Sequence, residues 1–161
     1  MTRPPFDAPT EHDIAVVSAQ LGRPARNVIG IAARCVCGKP TVVSTKPRLD
    51  DGTPFPTLYY LTHPAATAAI STLEADGVMP QLAELIDDTY LAAHESYIAD
   101  REGIEFVEEI AGISAGGMPT RVKCLHALAG HALAAGPGVN VIGDRALELA
   151  TWSPQVCECV D

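Results

Sequence analysis

Positive charge and long apolar runs are scarce in this sequence, and each shortage excludes a class of protein. The 161 residues include 11 Lys and Arg against 20 Asp and Glu, which gives a formal net charge of −9 at pH 7. Nucleic-acid backbones and anionic membranes are themselves negative, so an acidic chain is a poor general partner for either. No apolar run approaches the roughly 18–20 residues that a transmembrane helix needs. We therefore expect neither nucleic-acid binding nor insertion into a membrane.

Export signals and familiar catalytic motifs are also missing. Arg3 is followed by Pro4 and Pro5 rather than by an apolar segment, so the start of the chain does not resemble a signal peptide. The sequence has no G-x-S-x-G, H-E-x-x-H or phosphate-loop motif. Its five cysteines are odd in number, which does not suit a disulfide framework. These features predict a cytoplasmic protein with reduced thiols, and they indicate no enzyme class.

The remaining composition predicts one globular α+β domain. Hydrophobic residues make up 47% of the chain, enough for a core. Three short segments rich in β-branched and aromatic residues, at about 27–35, 41–45 and 57–62, are joined by turn-forming residues. They predict a small antiparallel sheet within about 27–62, packed against helices within about 64–150. The single domain covers 1–161, with a flexible N-terminal tail at 1–11 and a C-terminal tail at 151–161.

Apolar spacing and capping residues predict where the helices lie. Asp13 is a candidate cap for a first helix that ends at Gly22, and Pro64 begins a second helix that ends at Gly77. Pro80 begins a longer helix whose apolar stripe continues to Tyr97. Two further helices are predicted at about 120–134 and 144–150.

Cysteine and histidine placement predicts a metal site. Cys35 and Cys37 form a C-x-C pair, and residues i and i+2 of an extended strand point to the same side about 6–7 Å apart. Cys124 follows Arg121 and Lys123 at the predicted start of a helix, where a thiolate is stabilised. His63, at the end of the third strand, approaches the pair if that strand neighbours the first. The predicted ligands are Cys35, Cys37, His63 and Cys124, a set that matches a tetrahedral zinc site and could also hold an iron–sulfur cluster.

Other cysteines and histidines leave alternatives open. Cys157 and Cys159 form a second C-x-C pair, which could combine with the first pair into a four-thiolate site if Trp152 anchors the tail. His131 shares a helical face with Cys124, but seven residues of helix rise about 10.5 Å, so one ion cannot readily take both side chains. His131 therefore remains an alternative ligand to Cys124.

An anion pocket is predicted next to the metal. A small-residue loop precedes the predicted helix start, where free N–H groups favour negative ligands, and nearby side chains add charge. The predicted anion-binding residues are Ser114, Gly116, Gly117, Arg121, Lys123 and His126.

Two functions are compatible with such a site. In the first, the metal is structural and the protein is a regulatory or binding module for a small anion or a protein partner. In the second, the protein is an enzyme acting on a phosphorylated or carboxylated metabolite, with the metal or Cys124 at the reactive centre and His94 or Glu95 as acid–base. The sequence indicates no oligomeric state.

Several segments together resemble a known bacterial family. They are Arg34–Cys35 with Cys37–Gly38 and Pro40, residues 47–49 and 51–57, residues 59–62 with Pro64, residues 93–95, 114–119, 121–126 and 136–140. This pattern resembles the domain-of-unknown-function family 501 of high-GC Gram-positive bacteria. The resemblance implies no activity. It does imply that a cysteine often stands at the position of His63 in relatives, an exchange that suits a metal ligand.

Overall fold

A computed structural model describes residues 6–159, and its first helix begins at a capping box. α1 spans Glu11–Leu21. Thr10 is the N-cap: its hydroxyl accepts from the Asp13 N–H at 3.0 Å, and the Asp13 carboxylate accepts from the Thr10 N–H at 3.1 Å. The sequence prediction placed Asp13 at the cap, and the structure corrects this by placing it three residues inside. Both residues satisfy N–H groups that the first helical turn leaves without partners.

The three predicted strands form one antiparallel sheet. β1 (Val28–Arg34), β2 (Pro40–Thr45) and β3 (Tyr59–Leu61) lie in the order β1-β2-β3. This confirms the predicted α+β class. β2 is buried along its whole length because it is the central strand. β3 therefore neighbours β2 and not β1, so strand pairing alone does not bring His63 to the first cysteine pair.

The helices of residues 6–159 follow the predicted order but differ in their bounds. After β3 come α2 (Pro64–Ala75), α3 (Met79–Ala83), α4 (Asp88–Glu102), a 3-10 turn (Glu108–Ile110), α5 (Leu125–Ala135) and α6 (Val141–Leu149). The single helix predicted from Pro80 to Tyr97 was wrong. Asp87, in an extended conformation, caps a new helix by accepting from the Thr89 N–H at 2.9 Å, which divides the segment into α3 and α4. The helix predicted at 120–134 begins only at Leu125.

α5 is the centre of the core, held between β3 and α6. At Gly130, an added Cβ would lie 2.9 Å from the Tyr59 carbonyl oxygen. At Gly143 of α6, it would lie 2.2 Å from the Leu128 carbonyl oxygen. Because glycine has no Cβ, the backbones approach more closely at these two positions than any side chain would allow. The position of α5 relative to the sheet is therefore tightly fixed.

Both ends of the described chain pack against the sheet. Near the N-terminus, Asp7 forms an isolated bridge with Ile31. After α6 the chain returns to the β1–β2 turn, where Trp152 is buried against the His63 ring with centroids 5.1 Å apart. Residues 1–5 and 160–161 of the predicted tails lie outside the described residues. Among residues 6–159, no helix has both the length and the apolar character needed to cross a membrane.

Candidate metal centre

The first cysteine pair lies in the turn between β1 and β2. The Cys35 N–H donates to the Lys39 carbonyl at 2.8 Å, and the Cys35 carbonyl accepts from the Gly38 N–H at 2.8 Å. Gly38 has φ +97°, a left-handed conformation that glycine adopts without strain. The pair was predicted on an extended strand, but β1 ends at Arg34, so both cysteines belong to the turn. Cys35 is buried and Cys37 is exposed.

The second cysteine pair reaches the first because the chain after α6 is attached to this turn. The Val36 N–H donates to the Pro154 carbonyl at 2.9 Å, a contact that involves no cysteine side chain. A further turn closes where the Val156 N–H donates to the Ser153 carbonyl at 3.2 Å. Backbone hydrogen bonds and the burial of Trp152 thus position the residues that follow.

The four thiols of Cys35, Cys37, Cys157 and Cys159 form one cluster. Their Sγ atoms all lie within 4.8 Å of one another, and those of Cys37 and Cys159 are 3.5 Å apart. Four sulfurs bound tetrahedrally at about 2.3 Å from one ion would be about 3.8 Å apart. The four cysteines could therefore hold a metal ion. We call this group the four-thiol cluster.

The protein backbone stabilises negative sulfur in part of the four-thiol cluster. The Lys39 N–H hydrogen-bonds Cys37 and lowers the pKa of that thiol to about 7. Burial raises the pKa of Cys35, although a bond from the Cys37 N–H opposes this. Burial also raises the pKa of Cys159. Several thiolates in so small a volume need a compensating cation, which a bound metal would supply.

His63 lies beside the four-thiol cluster, with Nε2 3.1 Å from the Cys159 Sγ. Its Nδ1 accepts from the Ala66 N–H at 3.4 Å, so His63 also caps α2. A neutral imidazole with an accepting Nδ1 carries its hydrogen on Nε2. In this tautomer His63 donates to the Cys159 sulfur and cannot coordinate a metal through Nε2. Burial lowers the pKa of His63, which favours the neutral ring.

Cys124, the fourth ligand in the sequence prediction, is not part of the four-thiol cluster. It occupies the N-cap position of α5 and forms a separate group with Glu74 and His126. Its hydrogen bond with His126 lowers the pKa of the Cys124 thiol and raises that of the imidazole. His131 belongs to neither group, because it is buried in the core and stacked on Tyr59. The structure therefore brings together Cys35 and Cys37, places His63 next to them and leaves Cys124 elsewhere.

The residues predicted to bind an anion have different surroundings from one another. Ser114 is buried, with its Oγ 2.7 Å from the His94 Nδ1. The carbonyl groups of Gly116 and Gly117 accept from the backbone N–H groups of Lys123 and Arg121, and the side chains of these two residues are exposed. At the start of α5 the Leu125 N–H donates to the Glu74 carboxylate at 2.8 Å. The Glu74 carboxylate thus already provides an anion at the N-terminus of α5.

Glu74, a member of the group around Cys124, is a residue that the sequence patterns did not indicate. It lies in the last turn of α2, 51 positions before its hydrogen-bond partner Leu125. A glutamate on a helix is usually a solvated surface residue, and the sequence around it contains no signal for a more specific role.

Two cavities lie next to the returning C-terminal segment. The larger, about 1020 Å³, lies between β1, α5, α6 and the chain around Trp152 and Pro154. The smaller, about 520 Å³, is lined by α1 residues together with Lys39, His63 and Cys159. Both cavities have one wall made by the segment that bears the second cysteine pair.

Comparison with known families shows to which family the chain belongs. The family described as "Protein of unknown function (DUF501)" matches residues 31–148. The chain belongs to this family. The match covers Cys35, Cys37 and the group around Cys124, whereas Cys157 and Cys159 lie beyond it. No curated protein and no solved structure matches the chain.

Proposed function

We propose that this protein binds one zinc ion through Cys35, Cys37, Cys157 and Cys159. The observation that carries the proposal is the approach of all four Sγ atoms to within 4.8 Å of one another. Four thiolates around one ion are a common structural zinc shell. Four thiolates and one divalent ion together carry a net negative charge. The hydrogen bonds donated by the Lys39 backbone N–H and the His63 ring offset this charge and so support the proposal.

The spacing of the four-thiol cluster favours one ion over a multi-iron cluster. In a [4Fe–4S] cluster each cysteine binds a different iron atom, so the thiolates are farther apart than on a single ion. The 3.5 Å distance between the Sγ atoms of Cys37 and Cys159 suits two ligands of the same ion. A [2Fe–2S] cluster would divide the four cysteines between two irons, whereas all four Sγ atoms here lie within 4.8 Å of one another, as on a single ion. An iron–sulfur cluster is the alternative that the experiment below distinguishes.

A shell closed by four protein ligands gives this metal a structural role rather than a catalytic one, since no position is left for water or substrate. The ion would fasten the C-terminal segment to the β1–β2 turn and so fix one wall of both cavities. This favours a binding or regulatory module over an enzyme at this metal. The proposal requires reduced thiols, as expected in the cytoplasm.

The test is the metal content and spectrum of untagged protein purified under reducing, metal-replete conditions. We expect the double variant Cys157→Ser, Cys159→Ser to lose the zinc of the four-thiol cluster, and Co²⁺ substituted into that cluster to show intense sulfur-to-metal charge-transfer absorption. Cys124→Ser, the matched control, should retain this ion. If the iron–sulfur alternative holds, the protein will contain iron instead of zinc and will absorb visible light. Five freely reactive thiols without metal, or a disulfide within the four-thiol cluster, would refute the proposal.

A further inference from the structure

A second group of metal-binding side chains lies where the end of α2 meets the start of α5. Glu74, Cys124 and His126 each contribute one ligand atom, and these atoms lie within 4.8 Å of one another. The His126 Nδ1 and the Glu74 Oε1 are 3.3 Å apart. The side chains of both residues are 27% exposed, so the group is open to solvent. It shares no residue with the four-thiol cluster.

The atoms of Glu74 and His126 that face away from the group are held by other parts of the protein. The Glu74 Oε2 accepts from the Leu125 N–H at 2.8 Å. The His126 Nε2 lies 3.0 Å from the Ser71 Oγ and 3.3 Å from the Thr67 carbonyl oxygen. Outer contacts of this kind orient metal ligands and fix the histidine tautomer. They leave Oε1 and Nδ1 directed toward each other.

The Thr67 contact determines which nitrogen of His126 carries a hydrogen. A carbonyl oxygen only accepts, so Nε2 must donate to it, and a neutral ring then has its lone pair on Nδ1. In a neutral ring that lone pair would face a carboxylate oxygen 3.3 Å away, and two acceptors at this distance repel each other. A cation between them, or a proton on Nδ1, removes the repulsion.

We propose that Glu74, Cys124 and His126 bind a second divalent transition-metal ion of the zinc type. For ligand bonds of about 2.0–2.1 Å, the nitrogen and oxygen of a tetrahedral site are about 3.3–3.4 Å apart, which is the separation found here. One carboxylate, one thiolate and one imidazole leave the fourth position to water or to an oxygen of an anionic ligand. This donor number is typical of catalytic zinc rather than structural zinc. The site is independent of the zinc proposed above.

The test is Co²⁺ titration of the metal-free full-length chain, followed by absorption and by bound-metal analysis. We expect two ions per chain in the natural protein. In the double variant Cys157→Ser, Cys159→Ser we expect one ion, with the weak charge-transfer absorption of a single thiolate. Glu74→Gln should weaken that remaining ion more than about tenfold. Because glutamine can still accept from the Leu125 N–H, the fold should be kept, as circular dichroism would show. Glu95→Gln, an exposed change on α4, is the matched control.

The outcomes separate the two metal sites. The second site is supported if the natural chain binds two ions and if Glu74→Gln loses only the ion that has weak charge-transfer absorption. One ion that is unaffected by Glu74→Gln but lost with the C-terminal pair overturns it. The second site is also overturned if iodoacetamide alkylates Cys124 rapidly at neutral pH, and if this reaction is abolished in His126→Asn but unaffected by added Co²⁺. In that case the proton on Nδ1 takes the place of the metal. A single ion with one thiolate, lost in Glu74→Gln, would instead refute the four-thiol cluster and leave this proposal standing.

Discussion

The Sγ atoms of Cys37 and Cys159 lie 3.5 Å apart although 122 positions separate the two residues along the chain. A metal bound at this point closes a loop that contains most of the protein. Closing a long loop restricts the unfolded chain, and a preformed metal site binds the folded state in preference to the unfolded one. The four-thiol cluster should therefore affect global stability as well as the order of the C-terminal segment.

The first prediction concerns the energetic role of the C-terminal pair. Cys157→Ser combined with Cys159→Ser should remove two ligands and lower the free energy of unfolding by several kcal/mol in the presence of zinc. Urea denaturation with and without a chelator measures this. In metal-free protein the double variant and the natural chain should differ little. A large difference there would mean that the cysteines stabilise the fold by packing and not through metal.

A second prediction uses Trp152 as a reporter. It is the single tryptophan of the chain, and it is buried against His63 next to the four-thiol cluster. Removing the metal should loosen the segment around it, shift its fluorescence emission to longer wavelength and expose residues 153–159 to proteases. Zinc added back should reverse both changes. An emission spectrum insensitive to chelation would show that the segment is held by its own packing and by the Val36–Pro154 hydrogen bond.

Local patterns in the sequence were enough to predict the sheet, but not which residues form the candidate metal site. The strands were predictable because β-branched and aromatic segments alternate with prolines and glycines, and these signals act within a few residues. The division between α3 and α4 was not predicted, because the Asp87 cap interrupts an apolar stripe that otherwise continues at helical spacing.

Long-range packing determines which side chains join the first cysteine pair in the four-thiol cluster. Cys157 and Cys159 were considered as ligands from the sequence, yet nothing near them shows that the chain turns back toward β1. That return depends on the fit of Trp152 and on a hydrogen bond between Val36 and Pro154. Cys124, which has a suitable local setting, is placed with Glu74 instead because the core fixes α5 against the end of α2.

A third prediction tests how the β1–β2 turn is held. Arg34 forms two parallel hydrogen bonds to the Asp13 carboxylate, at 2.9 and 3.0 Å, and a third to the Gly38 carbonyl at 2.9 Å. Lysine cannot reproduce this fork, so Arg34→Lys should destabilise the protein by about 1–3 kcal/mol and weaken zinc binding. Thermal melts and a competitive zinc titration measure the two effects. Lys46→Gln, which breaks only the exposed pair with Asp50, is the control and should cost less than about 1 kcal/mol.

The last prediction is a pH dependence that originates from Asp13. The hydrogen bonds from Arg34 hold the pKa of the Asp13 carboxyl well below its usual range. The unfolded chain then binds a proton more readily than the folded chain, so stability rises with pH through this region. The contribution of Asp13 is fully present above its unfolded pKa of about 3.9 and is lost as the pH falls toward the lower folded pKa. Because acid would also release the zinc proposed above, urea denaturation between pH 6 and pH 2 should use metal-free protein. Asp13→Asn should be less stable near neutral pH and should lose less stability on acidification. An equal loss in both proteins would assign the acid sensitivity to other carboxylates.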